Sequence, residues 1–418
     1  NDILRVRVDG QRSLIFNNVV ARVNENFTDR LHLDTDEGNA AGIHGVMYAE
    51  IIKKQNMILI FNAGSSSLKA KLYSVSSGEL RLVNERSINN IHSQNGMGHI
   101  NATRKILDDF KEYFSQITFI AHRIVMGGDD ASDGEIANRS SLFRIKNNAA
   151  FAPLHNLASL AVINTCKKKL NKAKNHLFYD TSFFNKLPEN DKKYPINLEV
   201  AKKYGIKKFG YHGISHRYAF EVSGAYKYQR VISIHLGAGC SIAAIKNNKP
   251  IATSMGLTPL GGLVMQTRSG DVDPGAVLYL ARKTGLRKTQ EILEKKSGLC
   301  GLTDTAGDML TILSMGDEKV EDPNYNCAMK FTQKQKEKAK FALEVYCMRI
   351  QDYIGAYSLR MGGLDAVIFT GKVGAGSSII RDRVLAGLEM LNIKEIYCVM
   401  PDEETAIAKM LINLVINK

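Results

Sequence analysis

Apolar residues along this chain gather in short, unbroken runs that end in glycine and serine. Met57-Ile58-Leu59-Ile60-Phe61 is one such run, and the absence of polar interruption predicts a strand covered on both faces. It stops at Asn62-Ala63-Gly64-Ser65-Ser66-Ser67, after which residues 68–73 alternate like a returning strand. The design recurs at residues 231–235, with the loop Leu236-Gly237-Ala238-Gly239-Cys240-Ser241 and a second strand over 242–245. A third apolar run, 366–370, leads into a Gly/Ser-rich loop over 371–378 and a helical pattern over 379–391. Helical periodicity also marks 101–114, 157–169, 289–296, 336–359 and 403–416.

The two strand–loop–strand units lie roughly 170 residues apart, which points to an internal duplication. Each unit is expected to open one α/β domain, the first over 57–210 and the second over 211–402. The last helix, 403–418, is expected to pack back on the first domain. Ahead of them, residues 1–43 read as β-rich. Leu4-Arg5-Val6-Arg7-Val8 alternates, Asp9-Gly10 is a turn, and strand patterns resume at 13–16, 19–23 and 30–34. Residues 44–56 read as a linker. The first residue is Asn and the opening reads as mid-strand, so sequence upstream of Asn1 is expected.

Composition narrows the class. No apolar run approaches the roughly 18 residues of a membrane span, and no secretory leader pattern opens the chain. Six scattered cysteines form no CxxC pair, which fits reduced thiols in a cytoplasm. The formal charge of +14 raises nucleic-acid binding. No basic-aromatic module accompanies that charge, however, and solvated lysine-rich helices or an anionic substrate account for it.

The loops carry the candidate chemistry. Glycine lets backbone N–H groups approach phosphate oxygens, and serine adds hydroxyl donors. The 62–67 and 237–241 loops have this make-up, with Lys69 one alternating position further on. Neither is a Walker A loop. Phosphoryl transfer also needs positive charge around the transferring group and a positioned acceptor. Arg123 follows the apolar stretch 117–120, and Arg268 lies in Gln266-Thr267-Arg268-Ser269-Gly270-Asp271. Two arginines suit a carboxylate and then the charge of the transition state. Asp180 sits at another strand end, His155 lies in a loop, and His212 and His216 share the stretch His212-Gly213-Ile214-Ser215-His216.

Together these segments, with Tyr211-His212-Gly213, Thr253-Ser254-Met255-Gly256-Leu257-Thr258-Pro259 and Met265 to Pro274, resemble the acetate kinase family over residues 57–418. The resemblance implies the duplicated α/β, actin-like ATPase fold shared by acetate kinases, sugar kinases, heat-shock chaperone ATPases and actin. It implies ATP and a short carboxylate as substrates, Mg²⁺ (or Mn²⁺), direct in-line transfer and a homodimer, with no nucleic acid or membrane partner. By the same resemblance, Asn62 and Glu403 place the metal. Ser65, Ser67 and Lys69 belong to the phosphate loop. His235, Gly237, Gly239, Asp308 and Gly374 belong to the nucleotide side. Arg123, Arg268, Asp180 and His212 are the catalytic set, and Val125, Leu154, His155, Tyr211 and Pro259 line the acid site. Because a carboxylate is ionised at neutral pH, no strong base is needed, and Asp180 is expected to orient rather than take a proton.

Several positions depart from the family pattern: Met126, Phe184, Ala238, Leu310, Ala375 and Gly376. Most fall on the nucleotide side. An active carboxylate kinase and a binding protein of the same fold without turnover therefore both stay open, while a sugar kinase suits the arginine pair less well. Residues 1–43, through Leu14-Ile15-Phe16 and His32-Leu33-Asp34, separately resemble the C-terminal end of a propanediol-utilisation type phosphotransacylase. In that resemblance His32 stands at a metal-ligand position, and a lone histidine does not hold a catalytic zinc.

Overall fold

A computed structural model describes the chain apart from residues 1, 2, 10, 11, 21–29, 44, 46, 53–55, 77, 92–95, 324, 326–328, 417 and 418. The side chains of residues 3–5, 17, 18, 52, 154 and 416 are likewise outside the description. Three sheets organise the rest.

The N-terminal sheet contains β1 (Ile3–Val8), β2 (Leu14–Val20) and β3 (Ala49–Ile52), in the order β2-β1-β3 and antiparallel throughout. Alternation buries Val6 and Val8, while Arg7 faces out and pairs with Glu50 across the sheet at 2.6 Å. Two expectations fail here. The stretch expected to be a linker contributes β3. Residues 30–34 form no strand, because Asp34 caps the helix Thr35–Ala41 in a capping box with Glu37. Val19 and Val20 end β2, and the rest of the strand expected over 19–23 lies outside the described residues.

The second sheet holds β4 (Asn56–Ala63), β5 (Leu68–Ser76), β6 (Glu79–Ile88), β7 (Ile117–Ile124), β8 (Glu135–Ile136) and β9 (Lys174–Tyr179). Their order is β6-β5-β4-β7-β9-β8. The third holds β10 (Arg230–Leu236), β11 (Cys240–Lys246), β12 (Lys249–Thr253), β13 (Ala366–Thr370) and β14 (Glu395–Val399), in the order β12-β11-β10-β13-β14. Both sheets follow one plan. Three strands meander antiparallel, and the first of them then pairs parallel with a fourth, which pairs parallel with a fifth. The short β8 is an addition on the edge of the second sheet, antiparallel to β9.

The apolar run in β4 has the physical cause its pattern implies, since both faces are covered. Leu59 and Phe61 pack with Ile106 and Val162 of the helices Met97–Asp109 and Pro153–Lys169. Ile58 and Ile60 face the other way, onto Ile407 and Leu411 of the last helix, Glu403–Ile416. The helix Gly213–Val222 bridges the two large sheets. Its Ile214 joins the cluster of the second sheet, and its Ala219 and Phe220 join Val231 and Ile368 of the third. The long helix Gln333–Met361 covers the other face of the third sheet with Ala342, Tyr346, Ile350 and Ile354 at helical spacing.

The stretch expected to be a third open loop is itself a short helix, Gly371–Gly376, directly followed by a helix over Ser378–Leu385 that ends before the expected 391. Gly371 makes the turn possible. Its φ is +80°, and a Cβ there would sit 2.2 Å from the Leu236 carbonyl oxygen. Among the described residues, no helix is long and apolar enough to cross a membrane.

Candidate active site

Three neighbouring strands of the second sheet end at one place, and each delivers a polar group there. Asn62 is the penultimate residue of β4, Arg123 that of β7, and Asp180 follows β9. Carboxyl ends of parallel strands are where α/β sheets bind ligands. Arg123 grips Asp180 with two bonds, Nε to Oδ1 at 3.1 Å and Nη2 to Oδ2 at 2.7 Å. The pair is withdrawn from water, with side-chain exposures of 15% and 1%. The third arm, Nη1, donates to the Asn62 amide oxygen at 3.1 Å, and the Asn62 amide nitrogen donates to Glu404 at 2.6 Å. Asp180, Arg123, Asn62 and Glu404 thus form one continuous chain.

Charge is balanced inside this chain. Burial alone would weaken the Arg123 cation, but the carboxylates of Asp180 and Glu403 outweigh it and hold Arg123 above its ordinary value. Burial pushes Asp180 up while Arg123 pulls it down, and acceptance by both Asp180 oxygens requires the ionised form. Burial also raises Glu404, with the neighbouring Glu403 adding to it. Glu403 goes the other way. Burial opposes its charge, and the positive charge of Arg123 foremost, with Lys69 further off, more than compensates, so it is held below the usual carboxylate range. Lys69 therefore acts on both glutamates from the first strand pair.

Across the cleft stand the groups of the second half. Gly239 lies between His212 and Arg268: a Cβ there would come within 3.1 Å of His212 Nε2, a tight contact, and 3.5 Å of Arg268 Nη1, an ordinary one. Arg268 donates to the Pro259 carbonyl at 3.2 Å, and burial lowers it below the ordinary guanidinium value. His155 is pushed down to about 3, first by burial and then by the positive charges of Arg268 and Arg123. Burial, His235 and Arg123 hold His212 well below the ordinary imidazole value. His235 is pushed down to about 4 by burial, and its ring stacks on His212 at 4.4 Å. The two arginines and three neutral imidazoles thus share one space.

Val125 and Tyr211, expected to line the acid site, are buried in one large apolar cluster with Met126 and Ala152, a wall of packed side chains. Tyr211 donates its hydroxyl to the Leu257 carbonyl at 2.6 Å, next to the loop carrying Pro259. Leu154, expected at the acid site, has its side chain outside the described residues. Asn156 fixes this wall: its amide oxygen accepts from the Met126 N–H, and its amide nitrogen donates to the Met126 carbonyl.

The Gly/Ser loops divide. The 62–67 loop is open, with Ser65 exposed and Ser67 half-buried, closed by a Gly64 N–H to Ser67 carbonyl bond of 2.8 Å. His99 donates from Nε2 to the Gly64 carbonyl at 2.9 Å and props this loop. The 237–241 loop offers Gly237 and Gly239, half-buried, but not Ser241. That hydroxyl is fully buried between His212 and His216, which corrects its reading as a phosphate donor. Of the residues expected on the nucleotide side, Asp308 caps the helix Met309–Met315 through the Thr311 N–H, and Gly374 packs on Leu236. Of the departures, Ala238 and Gly376 are exposed, whereas Phe184 is buried edge-on against His216. His32 is exposed ahead of its capped helix, and the described residues contain no cluster of three or more metal-ligating side chains.

Sequence reasoning missed Glu404, Asn156, Ser241 and His99 as parts of this construction. Glu404 had a signal, because it adjoins Glu403 at the start of a helix. His99 had none, since a lone histidine on an amphipathic helix reads as core.

Residues 57–409 match the model of the acetokinase family, and residues 1–44 match the model of phosphate propanoyltransferase. The acetate kinase of Anoxybacillus flavithermus is 38% identical over 369 residues, covering 80% of this chain and 87% of the relative. That of Bacillus subtilis is 36% identical over 363 residues, covering 80% and 88%. Among solved structures, Porphyromonas gingivalis acetate kinase superposes with a TM-score of 0.71 at 28% identity, over 86% of this chain and 100% of that one. A propionate kinase from Francisella tularensis gives 0.71 at 29%, over 85% and 98%. The fold of the two large sheets is accordingly the duplicated actin-like ATPase fold. With its match across most of its length and these relatives, the chain belongs to the acetokinase family.

Proposed function

We propose that residues 57–418 transfer the γ-phosphoryl group of ATP, reversibly, to a short carboxylic acid, with acetate as the principal acceptor and propionate as a second, giving acyl phosphate and ADP. One observation carries this beyond family membership. The positive charges of Arg123 and Arg268 both reach the neutral His155, and Val125 and Tyr211, close in the chain to Arg123 and His212, belong to a large buried apolar core. A small acid with one charged end and one apolar end suits that combination.

In this reading Arg123 and Arg268 hold the acceptor carboxylate and the planar phosphoryl group. Asp180 has both oxygens committed to Arg123, so it positions the guanidinium and takes no proton. The acceptor is already ionised, and the barrier falls by orientation and charge neutralisation. His212, neutral, donates to a phosphoryl oxygen. Val125, Leu154, Tyr211 and Pro259 receive the alkyl end, and His155 lies beside both arginines. Ser65, Ser67 and Lys69 receive phosphate oxygens, and His235, Gly237, Gly239, Asp308 and Gly374 stand on the nucleotide side.

Mg²⁺ fits the residues present. It needs one or two carboxylates and completes its shell with water and phosphate oxygens. Glu403 is ionised, and Asn62 keeps one lone pair on its amide oxygen after accepting from Arg123. When bound there, the ion would neutralise charge on the phosphates.

The family supports a cytoplasmic homodimer, and exposed apolar side chains such as Leu278, Tyr279 and Leu286 offer surface for one. The Ala238, Leu310, Ala375 and Gly376 departures favour a second reading, nucleotide binding without turnover. Incubation with ATP, Mg²⁺ and acetate, with hydroxylamine trapping the acyl phosphate as a hydroxamate, separates them. Hydroxamate forms under the first reading. Its absence, with nucleotide still bound, sinks that reading. The 1–44 match supports a chemical partnership, because phosphate acyltransfer from a thioester produces the acyl phosphate that the kinase consumes.

A further inference from the structure

Behind His212 the structure shows polar side chains that reach neither cleft nor solvent. The Ser233 hydroxyl lies 2.8 Å from His216 Nδ1. His216 Nε2 lies 2.7 Å from the Ser241 hydroxyl, which lies 2.9 Å from His212 Nδ1. Ser233, His216 and Ser241 are fully buried. His212 precedes the helix Gly213–Val222 with φ +57°, and its ring stacks on that of His235 at 4.4 Å.

Both imidazoles are neutral by burial, so each ring has one N–H and one acceptor nitrogen. Ser241 has a single hydrogen to give. Were it given to His216, the His216 Nδ1–H would donate to Ser233, and the hydrogen of Ser233 would need another acceptor. Among the described residues Ser233 Oγ has no other hydrogen-bond partner. Were both rings to donate to Ser241, the Ser241 hydrogen would be stranded in the same way. A buried hydroxyl donor left unmade is the costly arrangement. One order satisfies every hydrogen: Ser233 O–H to His216 Nδ1, His216 Nε2–H to Ser241, and Ser241 O–H to His212 Nδ1.

We infer that Ser233, His216 and Ser241 form a directional hydrogen-bond relay that holds His212 as its Nε2–H tautomer, with that N–H aimed at the transferring phosphoryl group. The Nε2 side of His212 faces Gly239 and Arg268 and has no protein partner among the described residues. The three relay residues are positioning residues. They touch no substrate and act through His212. This rests on the phosphoryl-transfer reading for its consequence, but the tautomer itself does not.

The test is ¹⁵N NMR on the full chain labelled at histidine, with the His212 resonance assigned by its loss in His212→Gln. Wild type should show the proton on Nε2. In Ser241→Ala, and in the more distant Ser233→Ala, the single tautomer should be lost and kcat should fall by roughly 10-fold or more, a common effect of removing an outer supporting partner, while KM for ATP and acid stays within about twofold. Ser241→Thr keeps the hydroxyl and should restore both the tautomer and kcat, which separates a positioning role from general loss of fold. A wild-type proton on Nδ1, or an unchanged Nε2–H tautomer in the two alanine variants, overturns the relay. Failure of the kinase reading would be seen separately, as wild-type enzyme that makes no acyl phosphate while its tautomer is still readable.

Discussion

Arg123 and Arg268 carry the same charge but stand in different company. Arg123 compensates a buried carboxylate, so Arg123→Ala strands Asp180 and should cost about 3–5 kcal/mol of stability along with activity. Arg268 has no carboxylate within ion-pair distance among the described residues, Glu294 acting on it only electrostatically, and burial lowers it. Arg268→Ala should therefore leave the melting temperature nearly unchanged and cut kcat by roughly 10³, as loss of an arginine does elsewhere in phosphoryl transfer. Thermal melts and steady-state rates on the two variants check the contrast. Equal stability loss in both would contradict this division of roles. Val125 makes a finer case. Val125→Ala opens space for one more methylene, so the propionate-to-acetate ratio of kcat/KM should rise by roughly 10-fold. If both acids shift together, Val125 does not line the acid site.

Buried imidazoles at this scale also set the acid limit. His122 is pushed down to about 4 by burial, more than its bond to Asn175 offsets. Its unfolded value is near 6.5, so the unfolded chain binds the extra proton first as pH falls. Stability from this group is complete above about pH 6.5 and is lost between there and about pH 4, at up to about 1.4 kcal/mol per pH unit. His235 adds to the loss over the same window. Melting temperatures taken from pH 7.5 to 5 should fall, and His122→Gln should flatten that slope. An unchanged slope would remove His122 from the account.

At the scale of elements, legibility followed coverage. β4 and β13 are buried on both faces, and their apolar runs could be read nearly to the residue. The last helix was readable for the same reason, with an acidic start and an apolar face. Failures came where a local cap outweighed a pattern. Leu31 and Leu33 alternate with polar residues as a strand would, yet Asp34 and Glu37 close a capping box and start a helix. The Gly-rich 371–376 stretch read as loop by composition, but it is helical because Gly371 alone needs the left-handed turn. Gly371→Ala should consequently cost more than about 1 kcal/mol, measured by denaturant unfolding, since its Cβ meets backbone. Little or no loss would mean that the β13 exit is not under this constraint.

At the scale of the whole molecule, duplication explains why the site was partly visible in sequence. Two copies of one sheet plan each bring a Gly-bearing hairpin to a common cleft, and those hairpins carry the recurring motif. What joins the copies was not visible. The chain from Asp180 to Glu404 connects groups 342 residues apart at its last link, and the histidine–serine line connects the bridging helix to β10 and β11. No local spacing announces such contacts. Hydrogen bonds tie Asp180, Arg123, Asn62 and Glu404 together, and His212 and Arg268 both stand beside Gly239. The central claim is consequently about transfer. Its most direct test is the rate of acetyl phosphate formation from ATP and acetate by the full chain, with nucleotide affinity measured in parallel. The account predicts turnover that depends on Arg268 while the Arg268→Ala variant still binds nucleotide. Nucleotide binding without acetyl phosphate in the wild-type chain, or turnover indifferent to Arg268, would contradict it.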